Sequence, residues 1–289
     1  MVLACASISS CASALTLFAA LPTLSVHQRL DVLLLGEQRG GTLEVARALL
    51  KSSPVYHYIA SYPPSQVDIP LLTDMTVLQK DAESTNEIPT LVKDAEAIAV
   101  ALSHRRAWQH MLEYNISVAL IVEDSFKLAL GDSLGGKDVE TSAPVATVRS
   151  ALHALHRSDP EWEHLNLGIC EDPCYPSTAS TTSVTVPNTG QSIITSTRSL
   201  CTHAYALTAQ GARKLLSFSL PLKYPVDHLI SLLSRKQLLR QYSVSPPTFT
   251  SSSRSPSGAY CSHPTSLLSP SHDLGNSWLV HYTPAAQAC

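Results

Sequence analysis

Two adjacent carboxylates, Glu123 and Asp124, follow an apolar run of the sequence, residues 118–122. A continuous run of aliphatic and β-branched residues is typical of a strand covered on both faces. Carboxylates are costly in a core, but they are readily placed where such a strand ends, and α/β folds bind ligands at this edge. There the pair could hold a divalent cation that neutralises a diphosphate. The alternative is a solvated turn at the start of a loop.

The segment before this strand has the spacing of an amphipathic helix and carries further polar candidates. Its apolar stripe recurs at three- and four-residue intervals: Ala97, Ala101, His104, Trp108 and Met111. Because His104 falls on the stripe, a hydrogen-bonded core histidine is one interpretation and a ligand-binding histidine is the other. Arg105 and Arg106 could bind phosphate or face solvent.

A third candidate, Asp227, stands two residues after Pro225, where we predict the start of a helix. Its position favours capping of that helix. A carboxylate at the edge of a cleft could also act as a general base that takes the proton of an acceptor hydroxyl.

The seven cysteines are an odd number, so at least one is unpaired in any disulfide scheme. Cys170 and Cys174 lack a second ligand pair at zinc-site spacing, which argues against a zinc site. A disulfide among Cys170, Cys174 and Cys201 and a set of buried free thiols both stay open.

The composition limits the classes of partner. The 289 residues include 20 Lys and Arg and 23 Asp and Glu, a net charge of −3, so we expect no nucleic-acid partner. Residues 1–26 are apolar and contain no acid or base, which indicates a secretory signal, a possible membrane anchor or a poorly ordered start. The sequence Asn115-Ile116-Ser117 is a glycosylation sequon whose use would demand a luminal location. The ER or Golgi lumen is slightly favoured over the cytoplasm.

Three regions are expected along the chain: an apolar leader or disordered start over residues 1–30, a globular domain over 31–242, and a Ser/Pro-rich, largely unstructured tail over 243–289. Residues 65–90 and 173–199 read as loops. The predicted strands are 31–36, 55–60, 118–122, a run within 162–169, and 202–207. Helices are predicted between them, over 42–51, from 90 to about 115, over 147–156 and over 208–217, with another over 228–239. This alternation predicts an α/β fold with a largely parallel sheet.

Five sequence blocks stand in a fixed order: residues 102–104 (L-S-H), 118–124 (an apolar strand closed by E-D), 161–168 (E-W to L-G), 204–216 (A-Y-A-L-T, then G-A-R-K-L-L) and 225–227 (P-V-D). Together they resemble glycosyltransferase family 25 over about residues 95–245. That family includes bacterial lipooligosaccharide galactosyltransferases and collagen hydroxylysine galactosyltransferases.

The resemblance implies a GT-A-like, Rossmann-type fold with a mostly parallel sheet flanked by helices. It implies transfer of a hexose, galactose or glucose, from a UDP-sugar donor to a hydroxyl of a glycan or glycoprotein acceptor. Glu123, Asp124 and Ser125 would form the metal–diphosphate site, with Mn²⁺ as the expected cation. Asp227 would be the catalytic residue, and the substrate contacts would come from Ser103, His104, Arg105 and Tyr205.

The sequence departs from the family pattern at Ser125, which stands where the family has the last acid of E-D-D. A hydroxyl is a poorer ligand for a hard cation than a carboxylate. The competing hypothesis is therefore a catalytically impaired, glycosyltransferase-like binding or scaffold protein. An unrelated α/β protein is the third.

Overall fold

The computed structural model describes residues 30–36, 55–78, 94–124, 126–128, 143–168, 183–196 and 200–251. Its strands are β1 (Asp31–Gly36), β2 (Tyr56–Ala60), β3 (Val118–Glu123), β4 (Phe126–Leu128), β5 (His164–Asn166), β6 (Ser183–Thr185), β7 (Ser192–Thr195), β8 (Ala204–Thr208), β9 (Gln241–Ser245) and β10 (Phe249–Ser251). Its helices are α1 (Ile69–Asp74), α2 (Ala95–Glu113), α3 (Ala143–Ser158), α4 (Ala209–Phe218) and α5 (Val226–Arg235), with a 3-10 turn at Pro64–Gln66.

Eight strands form the central sheet in the order β2-β1-β3-β8-β5-β9-β7-β6, and β10 pairs with β4 in a small second sheet. The β1–β2, β1–β3 and β5–β9 pairs are parallel. The β3–β8, β5–β8, β6–β7 and β7–β9 pairs are antiparallel. The α/β architecture is confirmed, and it is consistent with a glycosyltransferase fold. The pairing within the sheet is mixed, because β8 lies between β3 and β5 and runs against both.

Apolar clusters cover both faces of the sheet. One contains Trp108 and Met111 of α2 with apolar residues of α4 and α5, and the other contains Trp162 with apolar residues of α3. The side chains of β3 divide between the two clusters. Leu120 and Val122 join the cluster that contains Trp162, and Ala119 and Ile121 join the cluster that contains Trp108. This division explains why β3 reads as a continuous apolar run rather than an alternating one.

Helix α4 is attached to the sheet by a buried acid. Glu163 is only 1% exposed, and its Oε1 lies 2.7 Å from Lys214 Nζ. The backbone N–H of Arg240 donates to Oε2 at 3.0 Å. Gly211 lies so close that an added Cβ would stand 2.7 Å from the Glu163 carbonyl oxygen. The glycine and lysine of the G-A-R-K block therefore dock α4 against the chain entering β5.

Several elements differ from their predicted bounds. Helix α1 and strands β6 and β7 lie in stretches predicted as loops, and the predicted start of the tail at residue 243 falls inside β9. Strands β6, β7 and β9 are rich in Ser and Thr, but they also bury apolar side chains, Ile193, Ile194 and Val244, and pairing along the sheet adds to their stability. The predicted leader and the helix at 42–51 lie outside the described residues. Within the described ranges, no helix combines the length and apolar character needed to cross a membrane.

Candidate active site

The candidate site forms where three strand ends meet. Parallel strands β1 and β3 end at the same edge, with Gly36 and Glu123. Because β8 is antiparallel to β3, its first residue, Ala204, pairs near the end of β3. The residues that precede β8 therefore lie beside Glu123, and they complete the edge.

Glu123 is held in place by two donors that bind the same oxygen. His104 Nε2 and the Thr202 hydroxyl both lie 2.9 Å from Oε1 of Glu123. Burial raises the pKa of Glu123, but the hydrogen bonds from His104 and Thr202 outweigh burial and set the pKa below its usual value. The side chain is 25% exposed. Glu123 is therefore an ionised carboxylate of fixed orientation that is still in contact with solvent.

Behind Glu123, a buried hydrogen-bond chain fixes the orientation of the His104 ring. Trp108 Nε1–H donates to the Tyr205 hydroxyl at 2.9 Å, and that hydroxyl lies 2.8 Å from Nδ1 of His104. Since an indole can only donate, the Tyr205 proton goes to Nδ1, and the imidazole proton is on Nε2. This neutral tautomer donates to Glu123. Burial raises the pKa of Tyr205 above its ordinary value, so the hydroxyl keeps its proton.

The three residues before β8, Cys201–Thr202–His203, connect the two candidate acids. Besides the Thr202 bond, the His203 carbonyl accepts from Glu123 N at 2.9 Å. Cys201 N donates to Oδ2 of Asp227 at 3.3 Å. The Cys201 carbonyl accepts from the Asn166 side chain at 3.0 Å. This connecting segment, residues 201–203, brings Glu123 and Asp227 into one network.

Cys201 itself has φ of 75° and is disulfide-bonded. The free-thiol interpretation is therefore wrong for this cysteine, and a disulfide that includes it is present. The left-handed backbone is unfavourable for a residue with a Cβ. The cross-link and the two hydrogen bonds of its backbone to Asp227 and Asn166 hold that conformation.

Two glycines allow close approaches within the site. A Cβ on Gly36 would stand 2.7 Å from Oδ2 of Asp124, and one on Gly168 would stand 2.3 Å from Nε2 of His203. Asp124 thus lies against the backbone at the end of β1. His203 is buried, and burial sets its pKa below the ordinary value despite the opposing effect of Glu123.

The predicted substrate contacts have packing roles in the structure. Ser103 donates to the Ala99 carbonyl and accepts from Tyr62 N at 2.9 Å. Arg105 donates to the Ser219 hydroxyl at the end of α4. His104 and Tyr205 are fully buried and reach the site through Glu123. Whether any of these side chains contacts a substrate stays a prediction.

Neighbouring Arg106 binds the loop after β2. Its guanidinium donates to the Ala60 carbonyl at 3.0 Å and lies 4.4 Å from the centre of the Tyr62 ring. Arg106 is exposed, as the solvent-facing alternative predicted, and its cation–π contact with Tyr62 is an addition to that prediction.

Asp227 lies in the first turn of α5, but it is not the cap. The capping position belongs to Pro225, which makes no side-chain capping bond. Oδ1 of Asp227 accepts from the N–H of His228 at 2.8 Å, while Oδ2 binds Cys201. Each oxygen keeps a second lone pair for a further donor, and the side chain is partly exposed.

The carboxylates at this edge fit a cation only in a shared arrangement. No group of three or more His, Cys, Asp or Glu side chains suited to a metal occurs among the described residues, and Ser125 lies outside them. Hydrogen bonds already use Oε1 of Glu123, whereas Asp124 is exposed. Mg²⁺-like ions are commonly held by one or two carboxylates together with substrate phosphates and water, and these two acids suit that arrangement.

The sequence does not single out Thr202 and His203, which fall inside the predicted strand 202–207. The available signal was their position. Two polar residues directly precede the buried strand Ala204–Thr208, as Glu123 and Asp124 directly follow another. Only the antiparallel pairing of β8 with β3 places the two polar groups together.

A comparison with models of protein families gives a match. Residues 94–230 match the family model of glycosyltransferase family 25, described as an LPS biosynthesis protein. No curated protein matches the chain. The matched region runs from α2 to the first turn of α5, so it contains Glu123, the connecting segment and Asp227. Over residues 94–230 the chain is similar to glycosyltransferase family 25, as the five sequence blocks predicted.

Proposed function

We propose that the protein transfers a hexose, galactose or glucose, from a UDP-sugar to a hydroxyl of a glycan or glycoprotein. The observation that carries the proposal is the pair Glu123–Asp124 at the end of β3, in which Asp124 is exposed and the partly exposed Glu123 is held ionised by His104 and Thr202. Strand ends of this kind are where α/β folds receive nucleotide ligands.

The donor diphosphate would lie beside this pair. Two carboxylates repel a diphosphate unless a cation lies between them, so the proposal includes a divalent cation, Mn²⁺ by family analogy. Asp124, Glu123 and the diphosphate oxygens would hold the ion, and its chemistry would be to neutralise the charge of the leaving UDP. Whether Ser125 adds a ligand is part of the proposal.

The acceptor would approach from the side of Asp227. A proton of the acceptor hydroxyl would pass to a carboxylate oxygen of Asp227 while the hydroxyl oxygen bonds to C1 of the sugar and the bond from C1 to the UDP oxygen breaks. The N–H groups of Cys201 and His228 orient Asp227 for this role. The segment that orients Asp227 also contacts Glu123, so the donor and acceptor groups share one support.

The test is turnover of a panel of UDP-sugars with and without Mn²⁺. We expect one UDP-hexose to be consumed in a metal-dependent way. Glu123→Gln and Asp124→Asn should each lower the rate on the order of 100-fold. The matched control is Glu113→Gln. Glu113 is an exposed acid at the C-terminal end of α2, away from the sheet edge that holds the site. Turnover that is absent with every UDP-sugar, or unaffected by Glu123→Gln, would contradict the proposal.

A catalytically impaired, glycosyltransferase-like binding protein is the second candidate, and Ser125 favours it. Serine stands where the family has an acid, and no three-ligand cluster occurs in the described part of the chain. Titration with UDP, followed by the shift in thermal unfolding, separates the two candidates. Saturable UDP binding without turnover, together with activity gained in Ser125→Asp, would identify the impaired form.

A further inference from the structure

The turn between α2 and β3 contains the only Asn-x-Ser/Thr sequence of the chain, Asn115-Ile116-Ser117. Asn115 has φ of 53° and directly follows Tyr114, the C-cap residue of α2. Asn115 N donates to the Leu112 carbonyl at 3.3 Å, and Ile116 N donates to the Met111 carbonyl at 2.8 Å. This pair of bonds is a Schellman motif, in which Asn115 takes the left-handed position that glycine usually fills.

The geometry separates the roles of the three residues. The backbone of Asn115 ends the helix, and Ile116 is buried in the same apolar cluster as Met111. The side chains of Asn115 and Ser117 are both exposed. No hydrogen bond ties the Asn115 amide to another described residue. The fold therefore fixes the turn and leaves the sequon amide and hydroxyl accessible.

The turn also lies far from the candidate active site. Asn115 precedes the first residue of β3, whereas Glu123 is its last. Five steps along a strand cover roughly 16 Å. A large group on Asn115 would therefore project from the opposite edge of the sheet, away from Glu123 and Asp227.

We propose that Asn115 is a site of N-linked glycosylation and that this chain folds in an oxidising, luminal compartment. The co-reactant is a lipid-diphosphate-linked oligosaccharide. The amide nitrogen of Asn115 bonds to C1 of the first sugar, the bond from C1 to the diphosphate oxygen breaks, and the lipid diphosphate leaves with the electron pair. The nitrogen loses one proton to a base.

An independent observation agrees with this compartment. Cys201 is disulfide-bonded, and such bonds persist in secreted and luminal proteins but are rare where glutathione and thioredoxin keep thiols reduced. The disulfide lies at the site edge of the sheet and the sequon at the other, so the two features are separate in the fold.

The test is expression of the full chain, with its own N-terminus, in a eukaryotic host, followed by intact-mass measurement before and after enzymatic removal of N-linked glycans. We expect the wild-type chain to carry one glycan, Ser117→Thr to keep it, and Ser117→Ala and Asn115→Gly to lack it. A wild-type chain with the mass of the bare polypeptide would overturn the proposal, as would a glycan that persists in Asn115→Gly.

Asn115→Gly is a sharp control because it removes the acceptor amide without breaking the cap. Glycine is preferred at a left-handed position, so the variant should unfold at the same temperature as the deglycosylated wild type or a higher one. Its UDP-sugar turnover should equal that of the wild type. Loss of the glycan therefore cannot be attributed to a folding failure.

Discussion

Nε2 of His104 lies 2.9 Å from Oε1 of Glu123, so a helix side chain orients the carboxylate at the end of β3. The histidine is in turn fixed by Tyr205 and Trp108 from deep inside the core. The carboxylate is partly exposed to solvent, whereas its orientation is set by buried groups. Motif residues of two separate sequence blocks, 102–104 and 204–216, therefore act on one carboxylate.

Replacing Tyr205 with phenylalanine tests this chain. The hydroxyl is fully buried and binds both Trp108 Nε1–H and Nδ1 of His104. Its removal leaves two buried polar groups without a partner, so we expect the free energy of unfolding to fall by about 1–3 kcal/mol. Tyr242→Phe is the comparison, because the Tyr242 hydroxyl bonds Asp159 in a partly exposed setting, and a smaller loss is expected. Equal losses in denaturant titration would argue against the chain.

Thr202→Val removes one of the two donors to Glu123 at nearly constant volume. The loss of one hydrogen bond to a charged group is worth about 1.5–3 kcal/mol. We expect kcat/KM for the UDP-sugar to fall about 10- to 100-fold, with little change in thermal unfolding, because Glu123 partly faces solvent. Thr202→Ser keeps the hydroxyl and should retain most of the activity. If Thr202→Ser is as impaired as Thr202→Val, the hydroxyl is not the group that matters.

Gly168→Ala tests the close approach to His203. The added Cβ would stand 2.3 Å from the imidazole nitrogen of a buried ring, so His203 and the connecting segment must move. We expect a destabilisation of about 1–3 kcal/mol together with loss of turnover. Gly190→Ala is the matched control. Its φ of 69° adds backbone strain, but nothing lies within 4 Å of the new Cβ, so turnover should persist.

The buried imidazole of His164 should make the folded state less stable in acid. The ring is 1% exposed and stacks on Tyr205 with ring centres 5.0 Å apart, and neither nitrogen has a hydrogen-bond partner among the described residues. Burial, assisted by His104, lowers the pKa of His164 to about 3. Below pH about 6.5 this histidine binds a proton in the unfolded chain, whereas in the folded chain it stays neutral down to about pH 3. The stability that this group contributes is complete above pH about 6.5 and is lost as the pH falls toward 3.

The measurement is denaturant unfolding between pH 7 and pH 4. In the wild type, His164 should contribute up to about 1.4 kcal/mol per pH unit to the slope of the unfolding free energy against pH. Glu123 adds to the loss of stability at lower pH, because its pKa in the folded chain is also depressed. His164→Phe should lose the histidine contribution and be at least as stable at pH 7. His164→Gln should lose the same pH dependence but keep the cost of a buried polar group. An unchanged slope in both variants would disprove this assignment.

Local sequence was sufficient for the elements that carry their own signals. The apolar run of β3 predicted a strand covered on both faces. The stripe of α2 predicted that His104 faces the core. The helix predicted over 208–217 is present as α4, and Thr208 caps it by accepting from Gly211 N. These features depend on residues within a few positions of each other, so periodicity and capping rules reach them.

Only the tertiary structure decided which strand ends meet. A buried strand has the same composition whether its neighbour is parallel or antiparallel, so the placement of β8 between β3 and β5 left no local trace. That placement brings Thr202 to Glu123 and, through Cys201, brings Asp227 into the same network. The sequence determined that two acids close a buried strand. Long-range pairing determined the donors that orient Glu123, because those contacts join residues 19 and 79 positions away.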